Sequence, residues 1–295
     1  MAAVDATFEF LQWQKSYEEQ KPYEIFASLP SFSENSKAKI PRSNLVFEPR
    51  TVPVHDVRGR EADFSLDAHG FAFLRHVTAT ADLKDRTAVH EQYVPEMERF
   101  LQSHLAAEGG GRDVQTVCFD LRLRESIHPD EFYKKTVNLD DGFDPLLPAT
   151  HPHIDQSVQG AIRRVKRHMG DKADELLKGR VRVINIWRPL APVRSWPLAL
   201  CDAQTLDPED LVTCDIVRRR YVGETYFGRY NPGQKWYYRS DMAREDVILV
   251  KVYDSDTSVL ARRCLHASFP TPLDNGLPSA IRESLELRVL VFGPS

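Results

Sequence analysis

Hydrophobic and polar positions alternate through much of the second half of the chain, and that period of two predicts strands. Over 114–123, Val117, Phe119, Leu121 and Leu123 fall on one face and Thr116, Asp120, Arg122 and Arg124 on the other. Further strand-like runs occupy 181–190, 197–201, 215–230, 235–239, 247–253, 262–269 and 284–292. Helical spacing is confined to two places. Val94, Met97, Leu101 and Leu105 share a face of a helix that Gly109-Gly110-Gly111 ends as C-cap and hinge. The segment 155–178 reads as one long helix with Arg and Lys on its polar side, closed by Gly179. Pro22, Pro30, Pro41, Pro49 and Pro53 break the polar first 60 residues, leaving room for a helix only near 5–20. The stretch has the character of an arm that wraps a core, and His69–His76 adds a short strand.

Strands that follow one another without intervening helices of about 12 residues argue against a parallel α/β sheet and for an antiparallel sandwich or barrel. The expected fold class is therefore mainly β with flanking helices. We read 1–295 as one domain, with 1–110 as N-terminal arm and support and 111–295 as the β core.

Composition acts chiefly by exclusion. With 295 residues, 42% hydrophobic and 28% charged, the chain has material for a core and is neither disordered nor fibrous. Its 39 Lys+Arg against 43 Asp+Glu give a formal charge of −4, without the positive footprint of a nucleic-acid binder. No stretch nears the roughly 18 consecutive apolar residues of a membrane span, and Met1–Gln20 lacks the apolar centre of a signal peptide. Cys118, Cys201, Cys214 and Cys264 lie far apart and form no C-x-x-C pair, as reduced thiols of a cytoplasmic protein would. The expected partner is a small molecule, with no nucleic acid and no membrane. The oligomeric state is not legible.

Candidate chemistry begins with His-x-acid pairs. Two ligands at i and i+2 of an extended segment project to the same side and offer an imidazole and a carboxylate to one ion. Two histidines and one carboxylate leave three octahedral positions open, which suits an Fe(II) centre holding a co-substrate and dioxygen. Ten histidines yield two such pairs, His128/Asp130 and His153/Asp155. The first reads as a helix start, with Pro129 after His128 and acids in the first turn. The second reads equally as a turn before the long helix, with Asp155 as its N-cap.

The C-terminal third favours the second pair. Cys264–Phe269 is a short strand centred on His266, followed by a loop over Pro270–Pro278 and then a strand whose one face carries Arg282, Ser284, Glu286 and Arg288. Leu285, Leu287, Val289 and Val291 form its other face. A guanidinium with a neighbouring hydroxyl can fix one end of a dicarboxylate while the other end reaches a metal. A solvated face with charges paired across strands fits the same pattern.

With these residues in view the chain resembles the non-haem Fe(II)/2-oxoglutarate-dependent dioxygenases, and among them the fungal hydroxylase/desaturase family that includes gibberellin desaturase-like proteins and is similar to a cephamycin methoxylation protein. The resemblance rests on His153–Ser157, Asn185–Leu190, Pro197–Asp202, Val252–Ser255, His266–Phe269 and Arg282–Arg288, about half the chain, with weaker support from His69–Phe73. It implies a double-stranded β-helix, the jelly-roll core of cupins, with Fe(II) held by His153, Asp155 and His266. It also implies 2-oxoglutarate on the metal with its far carboxylate on Arg282 and Ser284, and O2 as co-substrate. His266 and Arg282 stand 15 intervening residues apart, longer than is common in the wider superfamily, which leaves Arg288 as an alternative anchor.

Asn185 and Trp187 alternate with Ile184, Ile186 and Arg188; if they point inward they line the co-substrate or substrate pocket, although Trp187 reads equally as core. Tyr238 can offer the pocket a hydroxyl or simply pack. Arg163, Arg164, Lys166 and Arg167 read as a solvated helix face. The implied activity is hydroxylation or desaturation of an unactivated C–H bond in a largely apolar intermediate of specialised metabolism, releasing succinate and CO2. A catalytically silent binding module on the same fold and a cupin-like metal enzyme without a keto acid are the other readings these residues allow.

Overall fold

Two curled sheets face each other in a computed structural model that describes residues 3–26, 41–109, 114–132, 137–218, 221–271 and 281–293. Their strands in chain order are β1 (Ala3–Leu11), β2 (Tyr23–Ile25), β3 (Phe47–Asp56), β4 (Phe71–Arg75), β5 (Gln115–Glu125), β6 (His153–Ile154) and β7 (Arg180–Pro189). There follow β8 (Leu198–Cys201), β9 (Leu211–Arg218), β10 (Tyr221–Gly228), β11 (Trp236–Tyr238), β12 (Asp246–Asp254), β13 (His266–Ser268) and β14 (Glu283–Gly293). The larger sheet runs β1-β3-β11-β8-β13-β6-β10-β9-β2 and the smaller β4-β12-β7-β14-β5. The result is a double-stranded β-helix.

The smaller sheet is buried on both faces. Ile184, Ile186, Val247, Leu249, Leu285, Leu287, Val289 and Val291 pack with Tyr93, Met97, Leu101 and Leu105 at the helix Val94–Ala107. At about 1.5–3 kcal/mol for each fully buried large apolar side chain, this layer fixes which face of β14 looks inward. Arg282, Ser284, Glu286 and Arg288 therefore stand on the barrel side, and further along the same face Leu290 and Phe292 close the core against Phe8, Phe10, Ile154 and Phe269.

Several expectations change. Residues near 5–20 do not begin with a helix: β1 pairs with β3 from Ala3↔His55 to Leu11↔Phe47, because Ala6, Phe8 and Phe10 alternate with polar residues at the strand period, and a single turn at Lys15–Glu18 is all that is helical. The arm is thereby part of the sheet wall. On β5 the pairing shifts from Arg288↔Asp120 to Val289↔Cys118, so Phe119 is an extra residue. That bulge splits the expected apolar face: Val117 and Phe119 join the barrel core while Leu121 and Leu123 join the layer under the helix. The expected 155–178 helix starts at Val158, where Ser157, not Asp155, is the N-cap, with its Oγ accepting from the Gly160 N–H at 3.0 Å. It stops at Met169, since Gly170 has φ +52°, and only two short turns, Gly170–Lys172 and Ala173–Leu176, follow. The 215–230 run is two strands, β9 and β10, in register Tyr221↔Arg218. Gly110, Gly111 and most of the Pro270–Pro278 loop lie outside the described residues.

Candidate metal centre

Strand β6 is only two residues long and lies between β10 and β13 in the larger sheet. His153 is the register partner of His266, which places their rings 4.5 Å apart, centroid to centroid. Asp155 follows directly, with Oδ1 3.6 Å from His153 Nε2. One ligand atom from each of His153, Asp155 and His266 lies within 4.8 Å of the others. The three side chains that the sequence separates thus converge.

Backbone carbonyls set the imidazoles. His153 Nδ1 lies 2.8 Å from the His151 carbonyl and His266 Nδ1 3.1 Å from that of Cys264. A carbonyl only accepts, so both Nδ1 atoms carry the proton and both Nε2 lone pairs are left for a metal. Burial pushes His266 down to about 3, with the charge of His153 adding to it. The ring is consequently neutral at physiological pH, as a ligand must be. Burial alone raises the Asp155 carboxyl, but the Arg288 guanidinium overrides it and holds it well below the carboxylate range. Two imidazoles and one carboxylate fit Fe(II) with open positions.

The aspartate is gripped from behind. Arg288 Nη2 donates to Oδ1 at 2.9 Å and Asn185 Nδ2 donates to Oδ2. Arg288 also donates to Glu286 and Asp120, each at 3.1 Å, so its three nitrogens all serve carboxylates. Arg282 is different. Its Nη1 donates to Ser284 Oγ at 3.0 Å, whereas among the described residues its Nε and Nη2 are buried without a hydrogen-bond partner. Burial, then the nearby Arg124 charge, pushes this guanidinium down to about 9. Such unpaired buried donors fit a carboxylate supplied by a ligand.

The wall of the barrel beside the triad opens into a cavity of about 260 Å³ whose lining includes His153, Asp155, Arg288, Arg122, Arg124 and Phe227. His266, Asn185, Arg282 and Ser284 stand behind this lining, and both substrate-pocket candidates sit elsewhere. Trp187 is packed in an aromatic and aliphatic core cluster with the Arg282 guanidinium 5.8 Å from its ring centre, and Tyr238 meets Phe269 edge-on in the barrel core. Neither lines the cavity. Sequence reasoning missed Arg122, Arg124, Arg218 and Tyr221, and assigned Arg164 to solvent although it lines the cavity. The usable signal was on β5, whose charged face is the register partner of the charged face of β14, with Arg124↔Ser284 and Arg122↔Glu286.

Comparison with known proteins agrees with this geometry. A family model described as an oxidoreductase/YMDC permease-like domain matches residues 8–292. The hydroxylase/desaturase CTB9 of Cercospora beticola is 33% identical over 83% of this chain and 77% of its own length. The chain belongs to the fungal hydroxylase/desaturase family of Fe(II)/2-oxoglutarate-dependent dioxygenases. A second relative, the hydroxylase/desaturase efuI of Hormonema carpetanum, is 32% identical over 88% of the dioxygenase and 89% of that protein. Among solved structures the iron and alpha-ketoglutarate-dependent endoperoxidase NvfI superposes with a TM-score of 0.80 at 26% identity, covering 99% of both chains. The dioxygenase is an oxidoreductase whose reaction takes Fe(II), 2-oxoglutarate and O2. None of its described helices is long and apolar enough to cross a membrane.

Proposed function

We propose that His153, Asp155 and His266 hold the Fe(II), that Arg282 and Ser284 hold the far carboxylate of 2-oxoglutarate, and that the enzyme hydroxylates or desaturates an unactivated C–H bond of a small natural product. The observation that carries this reading is the meeting of two Nε2 lone pairs and one carboxylate within 4.8 Å, at the edge of an open cavity. When bound, Fe(II) and 2-oxoglutarate supply the oxidising chemistry, giving succinate and CO2.

The remaining tasks fall to the chain. The carbonyls of His151 and Cys264 orient the two rings. Asn185 and Arg288 are positioning residues: by occupying one oxygen of Asp155 each, they fix the plane of the carboxylate. Their place on Asp155 favours Arg282 over Arg288 as the anchor, because Arg282 alone of the two has donors to spare. Leu146, Ala149 and Phe227 give the cavity its apolar side and limit water beside the reacting carbon. Residues 1–295 act as one catalytic unit in this reading, since β1 and β3 complete the sheet that carries β6 and β13. The four unbridged cysteines suit a reducing cytoplasm.

The test is anaerobic Fe(II) titration together with succinate release from 2-oxoglutarate. Asp155→Ala is expected to lose stoichiometric iron, and Arg282→Lys to keep iron while raising the KM for 2-oxoglutarate about tenfold or more. Unchanged iron affinity in Asp155→Ala overturns the metal assignment. Should Arg288→Lys raise that KM while Arg282→Lys does not, the anchor is reversed.

A further inference from the structure

A second cavity, reaching Asp140, Arg167 and His168, adjoins the one beside the triad, and the wall they share carries Arg122, Arg164, Arg218 and Tyr221. Such a lining does not match the largely apolar intermediate that the resemblance implies. The four residues come from separate elements: β5, the helix Val158–Met169, the end of β9 and the start of β10.

Among the described residues none of the three guanidiniums donates a hydrogen bond to a carboxylate. Arg122 Nη2 and Arg218 Nη1 both donate to the Leu139 carbonyl, at 3.1 and 2.9 Å, which draws two like charges to one neutral acceptor. Arg122 Nη1 donates to the Asp141 carbonyl, and Arg218 has Asp140 only at 3.9 Å, on a side chain 70% exposed. Arg164 lies 4.4 Å over the Tyr221 ring, and among the described residues its Nε and the Tyr221 hydroxyl are buried without hydrogen-bond partners. Of the other acids around the two cavities three are engaged, and burial disfavours the charged form of Glu24. Asp120 and Asp155 accept from Arg288, and Glu224 is taken by Lys21 and Ser157. Unpaired donors and converging guanidiniums cost free energy in an empty site, and an anion offsets that cost through charge-assisted hydrogen bonds.

We propose that the organic substrate carries an anionic oxygen group, a carboxylate or a phosphate ester, which Arg122, Arg164, Arg218 and Tyr221 grip while the rest of the molecule extends to the metal. The proposal rests on the functional reading above and specifies the substrate class of that site.

Calorimetry on the protein saturated with Fe(II) and 2-oxoglutarate, without oxygen, tests it with three probes of one shape: 2-naphthoate, 2-naphthyl phosphate and the neutral 2-naphthylmethanol. The 2-oxoglutarate already bound keeps the probes from its own anchor. At least one anion is expected to bind about tenfold or more tightly than the alcohol, and the stronger of the two identifies the group. In Arg122→Gln/Arg218→Gln this preference disappears while 2-oxoglutarate affinity persists. Because Arg122 also ties down the backbone near Leu139, Arg164→Gln, which removes no side-chain hydrogen bond among the described residues, carries the same test should the double variant fail to fold. Equal binding of all three probes overturns the inference, as does an anion preference that survives the substitutions. Failure to bind Fe(II) or 2-oxoglutarate at all strikes the functional reading itself and takes this inference with it.

Discussion

Asn185 shows how much a single side chain can decide here. It is buried on β7, where a polar residue would normally be costly, and its amide donates to Asp155 Oδ2. Removing it frees the carboxylate to rotate about its remaining partner, Arg288. Asn185→Ala is therefore expected to weaken Fe(II) binding about 10–100-fold, the usual effect of losing an outer partner of a metal ligand, and Asn185→Asp to weaken it as well by setting a second negative charge against Asp155. Anaerobic iron titration reads this directly. An iron affinity untouched by Asn185→Ala would mean that Arg288 alone orients the aspartate.

At the scale of elements, the site depends on two surfaces that press strands into register. Leu101 is fully buried where the Val94–Ala107 helix meets β5, β7 and β14. Leu101→Ala is expected to destabilise the fold by about 2–5 kcal/mol, lowering the urea midpoint without changing the relative affinities for Fe(II) and 2-oxoglutarate of the molecules that remain folded. Gly160 holds the other surface. A Cβ there would stand 2.3 Å from the Glu224 carbonyl oxygen, so Gly160→Ala must push the Val158–Met169 helix off β10. That helix carries Arg164, and the prediction is a joint loss: a lower midpoint together with weaker binding at the basic wall, measured by calorimetry with 2-naphthoate. The helix Val94–Ala107 and the polarity of the two faces of β14 were legible because each keeps one period throughout. The face swap on β5 was not, because a bulge inserts one residue and composition carries no mark of it. The convergence of His153, Asp155 and His266 was legible only through the family resemblance, since His-x-Asp by itself reads equally as a turn before a helix. The basic wall was not, since arginines opposite an apolar strand face look like solvent-facing residues until the partner layer is known to be a helix on the apolar side.

For the molecule as a whole, the buried histidines couple stability to pH. His266 is pushed down to about 3 and His151 to about 4, in both cases first by burial and then by the charge of His153. In the unfolded chain each titrates near its ordinary value of about 6.5. Between about 4 and 6.5 the unfolded state then binds protons that the folded state refuses, so unfolding is favoured as pH falls through that window and stability is level above it. Asp155, held well below the carboxylate range, adds to the loss in stronger acid, while Glu286, raised by burial and by Asp155, works against it. The imidazoles titrate first on acidification and set the direction. The metal-free protein is expected to show a lower urea midpoint at pH 5 than at pH 7 in the presence of chelator. His151→Gln, which removes one of the depressed imidazoles, is expected to make that difference smaller. A midpoint equal or higher at pH 5 would show that the imidazoles of the cavity stay hydrated and titrate normally, and would remove the reason for expecting His266 to meet Fe(II) already deprotonated.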